Sequence, residues 1–128
     1  MILKKNINNE KHLIEFLSIN NLKSFLNKEI VDIDILLIDK NIFKNTYLKK
    51  IFDKFSKRSI LLQGDEKIKS LHSFNFLIEK ILKKGIEKKN KLISIGGGTI
   101  GDLSGFIASS LLRGIDHIMI PTSLLAMV

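Results

Sequence analysis

The chain has no cysteine, which excludes disulfides and thiolate metal sites and fits a reducing compartment. No apolar run approaches the roughly 20 residues that span a bilayer. Met1-Ile2-Leu3-Lys4-Lys5 leads into polar residues rather than the apolar core of a signal peptide. These absences point to a cytoplasmic protein with no membrane partner. Arginine is scarce as well: Arg58 and Arg113 are the only two among 21 basic residues. Readers of RNA and DNA concentrate arginine and add exposed aromatics for stacking. Here a net charge of +8 is carried by scattered lysines, with small groups at Lys49-Lys50, Lys83-Lys84 and Lys88-Lys89. That distribution reads as solvated helix surface, and no nucleic-acid partner is expected.

What is present suffices for a core. Hydrophobic residues make up 45% of a 128-residue chain, enough for one domain or part of a larger one. Up to residue 30 the pattern is weak. Leu13, Phe16 and Leu17, then Leu22, Phe25 and Leu26, recur at helical spacing around a break at Asn20-Asn21, which predicts one or two short helices. The signal then sharpens. Ile35-Leu36-Leu37-Ile38 reads as a buried parallel strand, followed by a helix with Phe43, Tyr47, Leu48, Ile51, Phe52 and Phe55 on one face. Ser59-Ile60-Leu61-Leu62 predicts a second strand, and Leu71, Phe74, Leu77, Ile78, Ile81 and Leu82 mark the next helix, with Gly85 as its glycine cap. Leu92 to Ile95 is a third strand, Ile100 to Leu112 a helix, and Ile118-Met119-Ile120 a fourth strand closed by Pro121, the only proline. The Phe and Leu stripes are expected to be core, and Thr122-Ser123 to cap a further helix.

Strand and helix alternate, so the expected fold is α/β, a parallel sheet with helices on both faces and no internal domain boundary over 1–128. Ligands bind such sheets beyond the carboxyl ends of the strands. Those ends are Asp39-Lys40-Asn41, Gly64-Asp65-Glu66, Gly96-Gly97-Gly98 and Thr122-Ser123, all polar or glycine-rich. Gly96 to Gly101 satisfies G-x-G-x-x-G, and five of eight glycines lie between Gly96 and Gly105. Strand, glycine turn and helix together offer backbone N–H groups to a phosphate. A phosphate-loop NTPase needs Lys and Ser/Thr after the glycines, but Asp102 follows Gly101 here. Dinucleotide binding survives. An ordinary fingerprint follows the first strand, with an acid about 20 residues on; Asp116 has that spacing, but this turn follows the third strand. Asp39 or Glu66 are therefore the candidate ribose ligands.

Gly96-Gly97-Gly98-Thr99-Ile100-Gly101-Asp102-Leu103-Ser104-Gly105-Phe106, then Arg113-Gly114-Ile115 and Pro121-Thr122-Ser123-Leu124-Leu125-Ala126, strongly resemble the 3-dehydroquinate synthase family, which carries GGGxxGDLxGF, RGI and PTxLLA at these separations. Asp39-Lys40-Asn41 and Glu66-Lys67-Ile68-Lys69-Ser70 match its D-x-N and E-x-x-K-S. Gln63-Gly64-Asp65 stands where a P-D-G-like turn is usual, and Ser123 where Thr is common. The resemblance implies a Rossmann-like NAD-binding domain. It also implies conversion of a sugar-acid phosphate, 3-deoxy-D-arabino-heptulosonate 7-phosphate, to 3-dehydroquinate in aromatic amino acid biosynthesis. In that lyase reaction NAD takes and returns a hydride while phosphate is eliminated. Relatives making an inosose tend to have Asn-Val where Asp102-Leu103 stands, and iron-type alcohol dehydrogenases continue differently after the glycines. A sister cyclase, or a nucleotide-binding remnant without activity, is the alternative.

Carried over by that resemblance, Asp39 and Asn41 hold the adenosine side of NAD. Gly64, Asp65, Glu66, Lys67, Ile68 and Lys69, chiefly Glu66 and Lys69, contact the ribose region. Gly97, Gly98, Thr99, Ile100 and Gly101 wrap the pyrophosphate, and Asp102 lies near the nicotinamide half. Thr122 and Ser123 add hydroxyl contacts and Leu125 packs on the cofactor. Arg113 binds the substrate phosphate, reaching a neighbouring subunit's site in a homodimer. The bland alternatives are helix caps for Asp39 and Asn41, an exposed i,i+3 pair for Glu66 and Lys69, and a helix-end cation for Arg113. The family's D-S-S-x-G-G-K segment and its helical domain, which binds zinc or cobalt, are expected beyond Val128. No metal site is expected within 1–128, where His12, His72 and His117 lack metal-site spacing, and the chain alone is expected to be inactive.

Overall fold

A computed structural model describes residues 2–7, 10–15, 19–30 and 34–123. The chain divides into two compact units, Met1–Val31 and Asp32–Val128. In the first, β1 (Ile2–Ile7) pairs antiparallel with β2 (Glu10–Glu15), from Ile2 opposite Glu15 to Ile7 opposite Glu10, and α1 spans Ile19–Glu29. This corrects the helical reading of the segment. Leu13 is a strand residue paired with Lys4, because ladder pairing outweighs a helical spacing carried by so few apolar residues. Leu22, Phe25 and Leu26 do lie on a helix, which runs through Asn20-Asn21 without a break. Phe16 and Leu17 lie outside the described residues.

The second unit holds the parallel sheet. Its strands are β3 (Ile35–Asp39), β4 (Ser59–Leu62), β5 (Lys91–Gly96) and β6 (Asp116–Pro121), in the order β4-β3-β5-β6. Its helices are α2 (Thr46–Asp53), α3 (Leu71–Lys83) and α4 (Gly98–Ser110). Right-handed crossovers place α2 on one face and α3 with α4 on the other. Strand alternation agrees: Ile35, Leu37 and Leu92 form one core with Leu77 and Ile81 of α3 and Ile100, Leu103 and Ile107 of α4. Leu36, Ile38, Ile93 and Ile95 are equally buried and point the other way, toward the side of α2, whose buried residues are Ile51 and Phe52.

Local chemistry sets the boundaries. The stripe from Phe43 to Phe55 is not one helix. Lys40–Lys44 forms a 3-10 turn, Asn45 is extended, and its side-chain oxygen accepts from the amides of Tyr47 and Leu48 to start α2. Ser70 starts α3 by accepting from Ser73 N. Gly85, at φ 77, ends it as the left-handed residue beyond the cap. The stripes are also less buried than expected. Leu71 is 75% exposed and Phe106 59%, the Phe106 ring packing on Phe74 at a centroid distance of 4.8 Å. Helix α4 lies very close on the strands: a Cβ at Gly101 would stand 2.4 Å from Met119 Cε, and one at Gly96 would stand 2.8 Å from Ile100 Cβ. At Gly96 glycine is a packing requirement, whereas at Gly101 the end of the Met119 side chain would have to move.

Candidate functional site

From β3 the chain moves to one side of the sheet and from β5 to the other, so the crevice opens between the carboxyl ends of these two strands. Asp39 ends β3, Gly64 follows β4, Gly96-Gly97 ends β5, and Thr122-Ser123 follows β6. Thr122 N donates to Gly96 O at 2.9 Å, tying the last two loops together. A depression lined by Asp39, Asn41, Asn45, Leu48 and Thr122 lies on the β3 side.

At the centre of this edge α4 begins at Gly97 with no side-chain cap. The first amides of a helix have no intrahelical partners, and a glycine N-cap has no side chain to offer them. Gly97 has φ −78, a value any residue adopts, so its conformation does not demand glycine. What Gly97 and Gly98 contribute is bare backbone. A Cβ on Gly98 would meet nothing within 4 Å, and one on Gly97 would meet only Ser123 Oγ at 3.5 Å. The result is an anion cradle open to a group larger than water.

Side chains from the β4–α3 loop close one wall. Thr99 Oγ1 donates to Glu66 Oε1 at 2.8 Å, Lys69 Nζ donates to Asp102 Oδ2 at 2.8 Å, and Lys69 also pairs with Glu66 Oε2 at 3.3 Å. The Thr99 hydroxyl, then Lys69, hold the Glu66 carboxyl below its usual range. The hydrogen bond to Asp102 raises Lys69 above its own. Residues 33 positions apart thus form one hydrogen-bonded network. Across the crevice, Asp39 Oδ1 accepts from Asn41 N at 2.9 Å. Its Oδ2 stands 2.2 Å from where a Gly64 Cβ would be, so only glycine permits this approach. Asp65 accepts from Lys67 N at 3.0 Å and shapes the loop, while Ile68 packs against the core.

Arg113 is not brought to this cluster. The 13 residues of α4 carry the chain to the opposite edge of the sheet, about 20 Å away at a rise of about 1.5 Å per residue. Asp116, at the start of β6, lies at that far edge too, which removes it as a ribose partner. Leu125 lies outside the described residues. The turn bearing Arg113 is strained: Leu112 has φ 48 and Arg113 φ 67, before Gly114 at φ 94. Two non-glycine residues in the left-handed region cost on the order of 1–2 kcal/mol each.

The family model described as 3-dehydroquinate synthase N-terminal matches residues 59–128, more than half of the chain. The chain belongs to the 3-dehydroquinate synthase family. It is 35% identical to the 3-dehydroquinate synthase of Macrococcus caseolyticus over 129 residues, covering 98% of this chain and 36% of that protein. It is 40% identical to that of Pelagibacter ubique, with the same coverage. The chain therefore spans about 36% of the length of these curated relatives. Among solved structures, 2-deoxy-scyllo-inosose synthase superposes with a TM-score of 0.77 at 22% identity, covering 98% of this chain and 37% of that one. The same enzyme complexed with carbaglucose-6-phosphate, NAD+ and Co2+ superposes at 0.74, also at 22% identity. These likenesses establish the dehydroquinate synthase-like α/β fold.

Within that frame, sequence reasoning missed the far edge. Asp34 is fully buried before β3; its Oδ1 accepts from Lys91 N at 2.8 Å and its carbonyl from Arg58 Nε at 3.1 Å. Arg58 also donates to Lys84 O at 3.0 Å. The rarity of arginine was the available signal. His117 is half-buried and hydrogen-bonded to Ser94 Oγ at 2.8 Å; burial lowers its pKa.

Proposed function

We propose that this chain is the nucleotide-binding part of an enzyme that turns 3-deoxy-D-arabino-heptulosonate 7-phosphate into 3-dehydroquinate. The single observation that carries the reading is the uncapped glycine start of α4, walled by Glu66, Thr99, Lys69 and Asp102. Its residues fit NAD: bare backbone at Gly97-Gly98 leaves room for a pyrophosphate, and the amides of Gly98, Thr99 and Ile100 would hold its oxygens. NAD, when bound, supplies reversible acceptance of a hydride from a substrate alcohol.

The chain's own residues prepare that site. Glu66, kept ionised by Thr99 and Lys69, presents a carboxylate able to accept from ribose hydroxyls. Asp39 offers a second acceptor on the adenosine side, with Asn41 beside it. Lys69 holds Asp102 at the mouth of the cradle, where the nicotinamide half would lie. Thr122 and Ser123 border the loop from β6. Asp102-Leu103, rather than Asn-Val, supports dehydroquinate over an inosose as product. Arg113, at the far edge, suits the phosphate of a substrate held by a second copy, hence a homodimer of the complete enzyme in the cytoplasm. No group of three His, Cys, Asp or Glu among the described residues could hold a metal.

Calorimetric titration of the chain with NAD+ tests the reading. Saturable one-to-one binding that is weakened by added pyrophosphate is expected. No heat at millimolar NAD+, or steeply salt-dependent association with RNA instead, overturns it.

A further inference from the structure

We propose that Lys88 is a positioning residue for Arg113, holding the left-handed turn that presents the guanidinium at the amino edge of the sheet. The proposal rests on the reading of Arg113 as a phosphate ligand. Lys88 Nζ donates to Arg113 O at 3.3 Å and to Gly114 O. These are the carbonyls of the strained turn itself, reached across 25 and 26 positions of sequence. Nothing local explains why Leu112 and Arg113 both take positive φ, since neither is glycine, asparagine nor aspartate. Backbone bonds from Gly114 N to Leu111 O and from Ile115 N to Ala108 O tighten the ends of the turn. They leave the Arg113 and Gly114 carbonyls to the ammonium.

The base on which Lys88 stands is itself fixed. Ile86 is buried, Glu87 N donates to Asn90 Oδ1 at 2.6 Å, and Asn90 N donates back to Glu87 O at 3.0 Å. Asn90 is 1% exposed, so the α3–β5 turn is anchored in the core and Lys88 projects from a rigid mount. Its neighbour Lys89 pairs with Glu87 at 3.0 Å instead. Lys89 therefore provides a control of equal charge with no hold on the turn.

The test is NMR of the labelled chain, reading the φ-dependent couplings of Leu112 and Arg113 and the shift of the Arg113 side-chain N–H on adding inorganic phosphate. Lys88→Met is expected to move both residues out of the left-handed region and to weaken the phosphate response about tenfold. Lys88→Arg should restore both, and Lys89→Met should change neither. A Lys88→Met chain that keeps positive φ at Leu112 and Arg113, even with lower stability, overturns the inference. If the turn follows Lys88 but Arg113 shows no phosphate response in the unsubstituted chain, the phosphate role of Arg113 fails and the hold of Lys88 on the turn stands.

Discussion

At the carboxyl edge of the sheet α4 starts on a glycine that has no side chain to cap it; at the amino edge cations cover backbone acceptors. The helix starts face the first edge and the helix ends the second, so their dipoles point in one direction. At the carboxyl edge the sequence supplies glycine and acidic or hydroxyl side chains, and α4 begins uncapped. At the amino edge Arg58, Lys84 and Lys88 donate to the carbonyls of Asp34, Lys57, Lys84, Arg113 and Gly114. One edge carries a glycine helix start and the other a set of cation-to-carbonyl bonds. Three of the 21 basic residues, Arg58, Lys84 and Lys88, thus have a local task at the amino edge.

Substitutions can set the two edges against each other. The largest effect is expected at Gly98→Asp, where space is open: the new carboxylate should stabilise the helix start by about 0.3–1 kcal/mol. It should also abolish NAD+ binding, by at least about 100-fold in calorimetry. Loss of stability together with binding would mean that Gly98 serves the fold. Next, Gly101→Val drives a branched side chain into Met119 and should cost about 1–3 kcal/mol in urea unfolding. At the amino edge, Arg58→Met should cost about 1–3 kcal/mol by stranding the Asp34 and Lys84 carbonyls, with NAD+ affinity unchanged.

A smaller effect concerns pH. His117 has a folded pKa below the ordinary 6.5 because burial disfavours its charged form. The unfolded chain therefore binds the extra proton first, and stability falls as pH drops through about 6.5 toward the folded value. Urea midpoints at pH 5 and 8 should differ less in His117→Asn than in the unsubstituted chain. The smallest change belongs to the exposed network at the carboxyl edge: Lys69→Met should leave the urea midpoint nearly unchanged yet weaken NAD+ binding measurably.

The four parallel strands could be read from their apolar runs, and Ser59–Leu62 begins and ends as expected. A buried parallel strand requires continuous hydrophobicity, which leaves a plain trace. Asn45 interrupted what periodicity presented as one helix, because a cap depends on a single side chain and not on a pattern. The hairpin of β1 and β2 was hidden for the opposite reason: its partner strand, not its own spacing, decides its conformation. In the site, Glu66, Lys69, Thr99 and Asp102 were all named beforehand, but their joining into one network was not.

By itself the sequence determined the alternation of strand and helix, the glycine start of α4 and the family motif. These depend on local conformational preference and on residue types at short separations. Only the tertiary structure decided that Arg113 stands at the edge opposite the glycines and that Lys88 reaches its turn. The length and direction of α4 separate residues that are close in sequence, and the order of strands joins loops that are far apart.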